Sequence, residues 1–148
     1  MSYNMEPVEI LLVEDNPDDV ELTLRALQSK NIVNRIFVVR DGEEALEYIF
    51  CEKRHASRSI EHPPKLILLD LKLPKIDGLT VLRRIKSDAR TEGIPAVILT
   101  ASDEERDLIN TYNYGANSYL VKPIAFDKLA EIIVTLGLSW AIVSARAS

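Results

Sequence analysis

The stretch Val8-Glu-Ile-Leu-Leu-Val-Glu-Asp-Asn-Pro-Asp-Asp19 holds a strand, a turn and the start of a helix in twelve residues. Its first half is apolar at both odd and even positions apart from Glu9, which marks a strand buried on both faces. Asn16 then stands where a side-chain oxygen can cap free backbone N–H groups. Pro17 fits the first helical position, whose N–H has no helical partner in any case. Val20, Leu24 and Leu27 follow at helical spacing, so a helix is expected over Pro17 to Ser29.

The same alternation repeats outward from this unit. Arg35-Ile-Phe-Val-Val39, Leu66-Ile-Leu-Leu69, Ala96-Val-Ile-Leu99 and Ser118-Tyr-Leu-Val121 are short, solidly apolar runs and complete a set of five strands. Between them, helices are expected over Asp41–Lys53, with Ala45, Leu46 and Ile49 inward, Gly78–Asp88, with Leu79, Leu82 and Ile85, and Ser102–Tyr114, with Leu108, Ile109 and Tyr112. A fifth helix begins at Phe126. The order βαβαβαβαβα predicts a right-handed, doubly wound α/β layer structure: a five-stranded parallel sheet with five helices and the flavodoxin-like strand order 2-1-3-4-5. Its functional crevice would lie outside the carboxyl ends of strands one and three. Arg54–Lys65 has no apolar period and carries two prolines near its end, so it reads as a surface loop, and Met1–Pro7 as a tail before a single domain over 8–148.

Composition narrows the function. The 148 residues are 47% hydrophobic and carry 18 Lys+Arg against 23 Asp+Glu, a net charge of −5. A chain of this length buries roughly two-thirds of its unfolded surface and needs no disulfide or structural metal. The acidic balance argues against a nucleic-acid module, which needs a concentrated positive field. Cys51 is the single cysteine, and no Cys/His spacing resembles a zinc site; His55 and His62, in a polar stretch, are expected in solvent rather than as ligands. No apolar run approaches a membrane span, and the N-terminus lacks the pattern of a secretory signal, so a cytoplasmic protein without membrane attachment is expected.

Strand ends carry the chemistry in such a fold. After strand one comes Glu14-Asp15-Asn16-Pro17-Asp18-Asp19, where a phosphate loop would place glycines, serines or lysine. Acids in a first helical turn stabilise its dipole, which accounts for Asp18 and Asp19 but not for Glu14 and Asp15, which precede the cap. Strand three ends in Leu68-Leu-Asp-Leu-Lys-Leu-Pro-Lys-Ile-Asp-Gly78, bringing Asp70 beside that pair. Three acids on one crevice repel unless a divalent ion joins them, and Mg²⁺ fits because it accepts a few carboxylates and keeps positions for phosphoryl oxygens. Strand four adds the hydroxyl of Thr100 and strand five the cation of Lys122. Singly, Thr100 reads as a helix cap, Lys122 as a solvated charge and Asp70 as a turn former. Together these residues permit phosphoryl transfer to a carboxylate, with Mg²⁺ and Lys122 neutralising the group.

The acid pair Glu14-Asp15, Asp70 within Leu-Leu-Asp-Leu-x-Leu-Pro-x-x-Asp-Gly, Thr100 followed by the small Ala101, the aromatic Tyr119 and Lys122-Pro123 resemble the receiver domain of two-component response regulators, in that family's order and spacing and over essentially the whole chain. The resemblance implies that Asp70 takes a phosphoryl group from a phosphohistidine on a sensor histidine kinase. It implies Mg²⁺, with Mn²⁺ as an alternative, held by Asp15, Asp70 and the backbone carbonyl of Lys72, with Glu14 acting through bound water. Thr100, with Ala101 beside it, would turn its hydroxyl to the phosphoryl oxygen and Tyr119 would follow, shifting the face made by the fourth helix, fifth strand and fifth helix. The peptide before Pro123 would be cis. Lys72 and Ser102 would tune the phosphate lifetime; Lys72 departs from the smaller or uncharged group many members carry there, and its ammonium either shields the phosphate or draws the attacking water. The Arg54–Lys65 loop, the Ile85–Asp88 run and a Trp-containing extension resemble, more closely, the stand-alone regulators of bacterial phytochromes, which implies a light-regulated histidine kinase, although hybrid and orphan kinases use such regulators too.

Phe126, Leu129, Ile132, Ile133, Leu136, Trp140 and Val143 form a helical stripe running through Gly137. Beyond that glycine, over about residues 137–148, a small sheet has little surface left to cover. Leu138, Trp140, Ile142 and Val143, with Tyr112, Tyr114 and Tyr119, therefore suggest a two-fold homodimer through the fifth-helix region. With no further segment to bind DNA or catalyse an output, the expectation is a protein that signals by contact and is no enzyme beyond gaining and losing its own phosphate. Two other classes stay open on the residues: an enzyme on the same fold, either a flavin carrier, which the acidic first loop disfavours, or an aspartyl-phosphate hydrolase, which lacks here a dedicated acid/base residue; and an interaction domain that is never phosphorylated, against which the complete acid, hydroxyl and lysine set argues.

Overall fold

The computed structural model describes residues 9–28, 35–101 and 113–136. Strands β1 (Glu9–Val13), β2 (Arg35–Val39), β3 (Leu66–Asp70), β4 (Ala96–Thr100) and β5 (Ser118–Val121) form one parallel sheet in the order β2-β1-β3-β4-β5, as the alternation predicts. Helices α1 (Pro17–Gln28), α2 (Gly42–Phe50) and α3 (Gly78–Lys86) and a C-terminal helix (Phe126–Thr135) are the four α-helices among the described residues. The helix expected over Ser102–Tyr114 falls almost wholly outside them, so a count of five is not read from this structure; the expected tail and the extension beyond Gly137 also lie outside.

The sheet sorts its side chains strictly by parity. Leu11, Val13, Ile67, Leu69, Ala96 and Ile98 join one buried cluster with Ala45, Ile49, Val81, Leu82 and Ile85 of α2 and α3. Ile10, Leu12, Leu66, Leu68, Val97 and Leu99 join the other, with Val20 and Leu27 of α1 and Leu129 of the C-terminal helix. This is the period-two geometry of a strand covered on both sides, and it explains why the runs read as continuously apolar. Each such Leu or Ile contributes about 1.5–3 kcal/mol by leaving water.

Helix starts follow their caps. Asn16 Oδ1 accepts from the backbone N–H groups of Asp18 (2.8 Å) and Asp19 (3.1 Å), as read from the sequence, and Asp41 and Asp77 do the same for α2 and α3. Two expectations are corrected. Helix α2 stops at Phe50 rather than Lys53, because Cys51 turns left-handed (φ 58°) and its N–H closes back onto the carbonyls of Glu47 and Tyr48. Within the expected loop, Lys53–His55 forms a 3₁₀ turn that folds His55 inward to 14% exposure. Its Nε2 lies 2.9 Å from Glu44, and its ring meets Phe37 and Tyr48 edge-on. An apolar ledge made by stacked Phe37 and Tyr48 gives the imidazole somewhere to pack, which local polarity does not reveal. His62 is exposed, as expected.

Candidate functional site

Register builds the site. Leu12 pairs with Leu68, and both face the α1 side of the sheet, so Glu14 and Asp70, each two residues on, arrive beside one another over that face. Leu120 of β5 faces the same side, and Lys122 follows two residues later. The Glu14 N–H still bonds Val39 O at 3.0 Å, which holds its backbone to the β2 edge and leaves its side chain fully buried. Asp70 is 6% exposed, whereas Asp15, one residue past Glu14, is exposed.

Lys122 Nζ reaches into this group: 2.9 Å to Glu14 Oε1, 2.9 Å to Asp19 Oδ2 and 3.4 Å to Asp70 Oδ2. Burial pushes Glu14 up to about 7; the Lys122 ammonium pulls it back, and neighbouring Asp70 adds to the rise. Burial works to lower Lys122, yet its hydrogen bonds to Asp19 and Glu14 and the charge of Asp70 outweigh that and hold the ammonium well above the usual lysine range. Burial leads the rise of Glu14 and the carboxylates lead the rise of Lys122, and the geometry sets three acids around this ammonium, so acid is in excess.

A divalent ion answers that excess. One oxygen each from Glu14, Asp15 and Asp70 lie within 4.8 Å of one another. Opposite vertices of a Mg²⁺ octahedron stand about 4.2 Å apart at Mg–O distances of about 2.1 Å, so this donor set fits a small hard cation with only slight movement. Burial of two of the three acids makes the fit more than a surface coincidence, since a buried like-charged pair is costly uncompensated.

The loop after β3 is pinned so that Asp70 keeps its place. An ideal Cβ on Gly78 would stand 2.1 Å from the Asp70 carbonyl oxygen, and the Gly78 N–H bonds Leu71 O at 2.8 Å. Only glycine permits that approach. Lys72 is exposed, and its backbone N–H lies 3.3 Å from Asp70 Oδ1. Thr100 closes β4, 9% exposed, on the same face as Ile98, whose register partner is Tyr119; hydroxyl and ring therefore occupy neighbouring strands one pleat apart, with Tyr119 half-buried against the cluster under α2 and α3. Ala101 is exposed beside Thr100, the Lys122 N–H bonds Thr100 O at 2.7 Å, and the Lys122–Pro123 peptide is cis. Of the remaining residues singled out by sequence, Ser102, Tyr112, Leu138, Trp140 and Val143 lie outside the described residues.

Asp19 is the residue that sequence reasoning missed, having given it only a dipole role. A usable signal was present: with Asn16 as cap, Asp19 is the third helical residue, whose side chain folds back toward the helix start. The whole arrangement suits an anionic phosphoryl group, since it brings an ammonium and a set of cation-binding oxygens together around the Asp70 carboxylate.

Comparison with known proteins agrees with this geometry. The family model described as the response regulator receiver domain matches residues 10–134. The probable methanogenesis regulatory protein FilR2 of Methanothrix harundinacea is 40% identical over 91% of this chain and 84% of its own length. Response regulator Rcp1 of Synechocystis sp. is 35% identical over 90% of this chain and 89% of its own; its solved structure in a Mn²⁺-bound form superposes with a TM-score of 0.72 over 88% of this chain and 89% of that one. The solved structure of the bacteriophytochrome response regulator AtBRR reaches a TM-score of 0.84 at 46% identity, covering 92% of this chain and 96% of that one.

Proposed function

We infer the function from a plain premise: this chain belongs to the response regulator receiver domain family. It is a phosphoryl-accepting regulator of the two-component type, similar to stand-alone phytochrome response regulators. In the reading proposed here Asp70 is the acceptor. One of its carboxylate oxygens attacks the phosphorus of a phosphohistidine on a sensor histidine kinase; the new P–O bond forms as the P–N bond breaks, and the histidine nitrogen leaves with the electron pair. Asp15, Asp70 and the Lys72 carbonyl, with Glu14 acting through water, would hold Mg²⁺ or Mn²⁺. That ion supplies charge neutralisation at the phosphoryl oxygens.

The chain's own residues do the rest. Lys122 brings a protonated ammonium to the same group, and the Gly78 contact keeps Asp70 from drifting. Thr100 donates its hydroxyl to a phosphoryl oxygen, Ala101 leaves room beside it, and Tyr119 moves inward behind it, which changes the face around β5. Lys72 and Ser102 set the lifetime of the phosphate; a Lys72→Asn protein with unchanged lifetime removes Lys72 from that role. Signalling is by contact, the protein acting as acceptor and not as an enzyme on other substrates.

The observation that carries this reading is Lys122 Nζ bridging the buried Glu14 and Asp70 where β1 and β3 end. The test is phosphotransfer from a cognate kinase, or from acetyl phosphate with Mg²⁺, to wild type and Asp70→Asn. Stoichiometric labelling of wild type alone is expected, and stoichiometric labelling of the variant would contradict the assignment.

For the partner, the 46% identity with AtBRR supports a phytochrome-type kinase, and a phosphotransfer profile against several histidine kinases tests that choice. A homodimer through the C-terminal helix region is proposed as well, supported by the 75% exposure of Val134 on that helix. A monomeric mass at micromolar concentration, before and after phosphorylation, counts against it. Among the described residues no helix is long and apolar enough to cross a membrane.

A further inference from the structure

Lys122 has three N–H donors and no more. Three carboxylates take them: Glu14 at 2.9 Å, Asp19 at 2.9 Å and Asp70 at 3.4 Å. One of these donors already faces Asp70 and passes to a phosphoryl group arriving there; because that group stands farther out than the carboxylate, Nζ has to follow it, and one of the two shorter pairs, to Glu14 or to Asp19, lengthens. Release of Glu14 is the costlier outcome, because its side chain is fully buried and the oxygen that faces Lys122 is not the one that takes the Asn16 N–H at 3.3 Å. Asp70 itself carries the incoming group. Asp19 differs from both: its side chain is 31% exposed, it sits in the first turn of α1, and water can replace the ammonium when the pair opens. Nor is it one of the three acids whose oxygens converge as a candidate metal site.

We propose that Asp19 is a positioning residue that holds the Lys122 ammonium in the resting protein and yields it to the phosphoryl group, so that the first turn of α1 responds to phosphorylation of Asp70. The proposal rests on the phosphoacceptor reading above. It makes Asp19 a competitor of the phosphoryl group: the Asp19–Lys122 pair stabilises the unphosphorylated form, and its loss favours the phosphorylated one.

The test compares Asp19→Asn with Asp18→Asn, using beryllofluoride with Mg²⁺ as the phosphoryl mimic and calorimetry as the readout. Asp18 is exposed in the same turn and is not among the three carboxylates on Lys122, so both variants lose one negative charge and only one loses the pair. Asp19→Asn is expected to bind beryllofluoride about twofold to fivefold more tightly than Asp18→Asn, the range a partly exposed ion pair is worth. Affinity for Mg²⁺ alone should shift equally in the two. Equal or weaker beryllofluoride binding by Asp19→Asn overturns the proposal, as does a difference confined to Mg²⁺ affinity. A wild-type structure with Mg²⁺ and beryllofluoride gives an answer without any variant: the Lys122–Asp19 separation is expected beyond about 4 Å, the limit of an ion pair, and a retained 2.9 Å contact contradicts it. Wild type that fails to bind beryllofluoride at all would instead overturn the phosphoacceptor reading, and the role of Asp19 with it.

Discussion

Two charged clusters stand on opposite faces of the sheet, and they differ in balance. Over α2, Glu47 meets Arg54 at 2.7 Å, Glu44 meets His55 at 2.9 Å, and Arg58 lies 3.7 Å over the Tyr48 ring. Arg54 lies between the two acids, 2.7 Å from Glu47 and 3.9 Å from Glu44, and its hydrogen bond holds the Glu47 carboxyl below its usual range. At the ends of β1 and β3, Glu14, Asp19 and Asp70 share the single ammonium of Lys122, and burial drives Glu14 up to about 7. The first cluster is electrostatically finished and ties a loop to the domain. The second is left short of positive charge, which costs stability in isolation and creates affinity for a cation.

If that contrast holds, the first cluster can be damaged without touching phosphoryl acceptance. Tyr48→Ala removes a ring that is 2% exposed and stacked on Phe37, and is expected to cost about 3–5 kcal/mol in denaturant unfolding. Labelling by acetyl phosphate, measured where the variant is still folded, should match wild type; lost labelling in a folded variant would erase the distinction between the clusters.

The second cluster should answer to cations. Lys122→Gln is expected to lower stability by about 3 kcal/mol without divalent ions, since buried acids lose their partner. Mg²⁺ at ten times its Kd should stabilise wild type by about 1.4 kcal/mol in thermal or denaturant unfolding. Asp15→Asn should weaken that response, while Glu47→Gln should leave it unchanged.

The response to pH is the sharpest in sign. Glu14 is raised on folding from 4.5 to about 7, so native protein binds more protons in that window, and its contribution makes Mg²⁺-free stability fall as pH rises from about 4.5 to about 7. Glu47 is lowered, so its contribution is full above 4.5 and is lost as pH falls through its folded value. Unfolding curves for Glu14→Gln and Arg54→Ala should therefore lose pH dependence of opposite sign. A shared sign would show that the two clusters are electrostatically alike.

Much of this was legible in the chain, for physical reasons that also explain what was not. Both core layers followed from short runs apolar at both parities and the start of α1 from Asn16 and Pro17, because these are local or periodic signals, while the sheet order was expected from the βα alternation as the flavodoxin-like arrangement. Glu14, Asp15, Asp70 and Lys122 were legible because a parallel sheet delivers successive strand ends to one edge. The end of α2 was not: Cys51 adopts a left-handed cap that normally calls for glycine or asparagine, so no residue type announced it. His55 was misread because its packing depends on Phe37, which comes from a different strand. Asp19 was misread because its partner lies 103 residues away, although its place in the first turn hinted at a side chain folding back.

The most direct test of the central claim is to find where phosphate lands. Wild-type protein incubated with acetyl phosphate and Mg²⁺, then reduced with borohydride and mapped by tandem mass spectrometry, should carry one modification, Asp70 converted to homoserine, and none when the metal is chelated. Modification at another carboxylate, or none at Asp70 with Mg²⁺ present, would contradict the account.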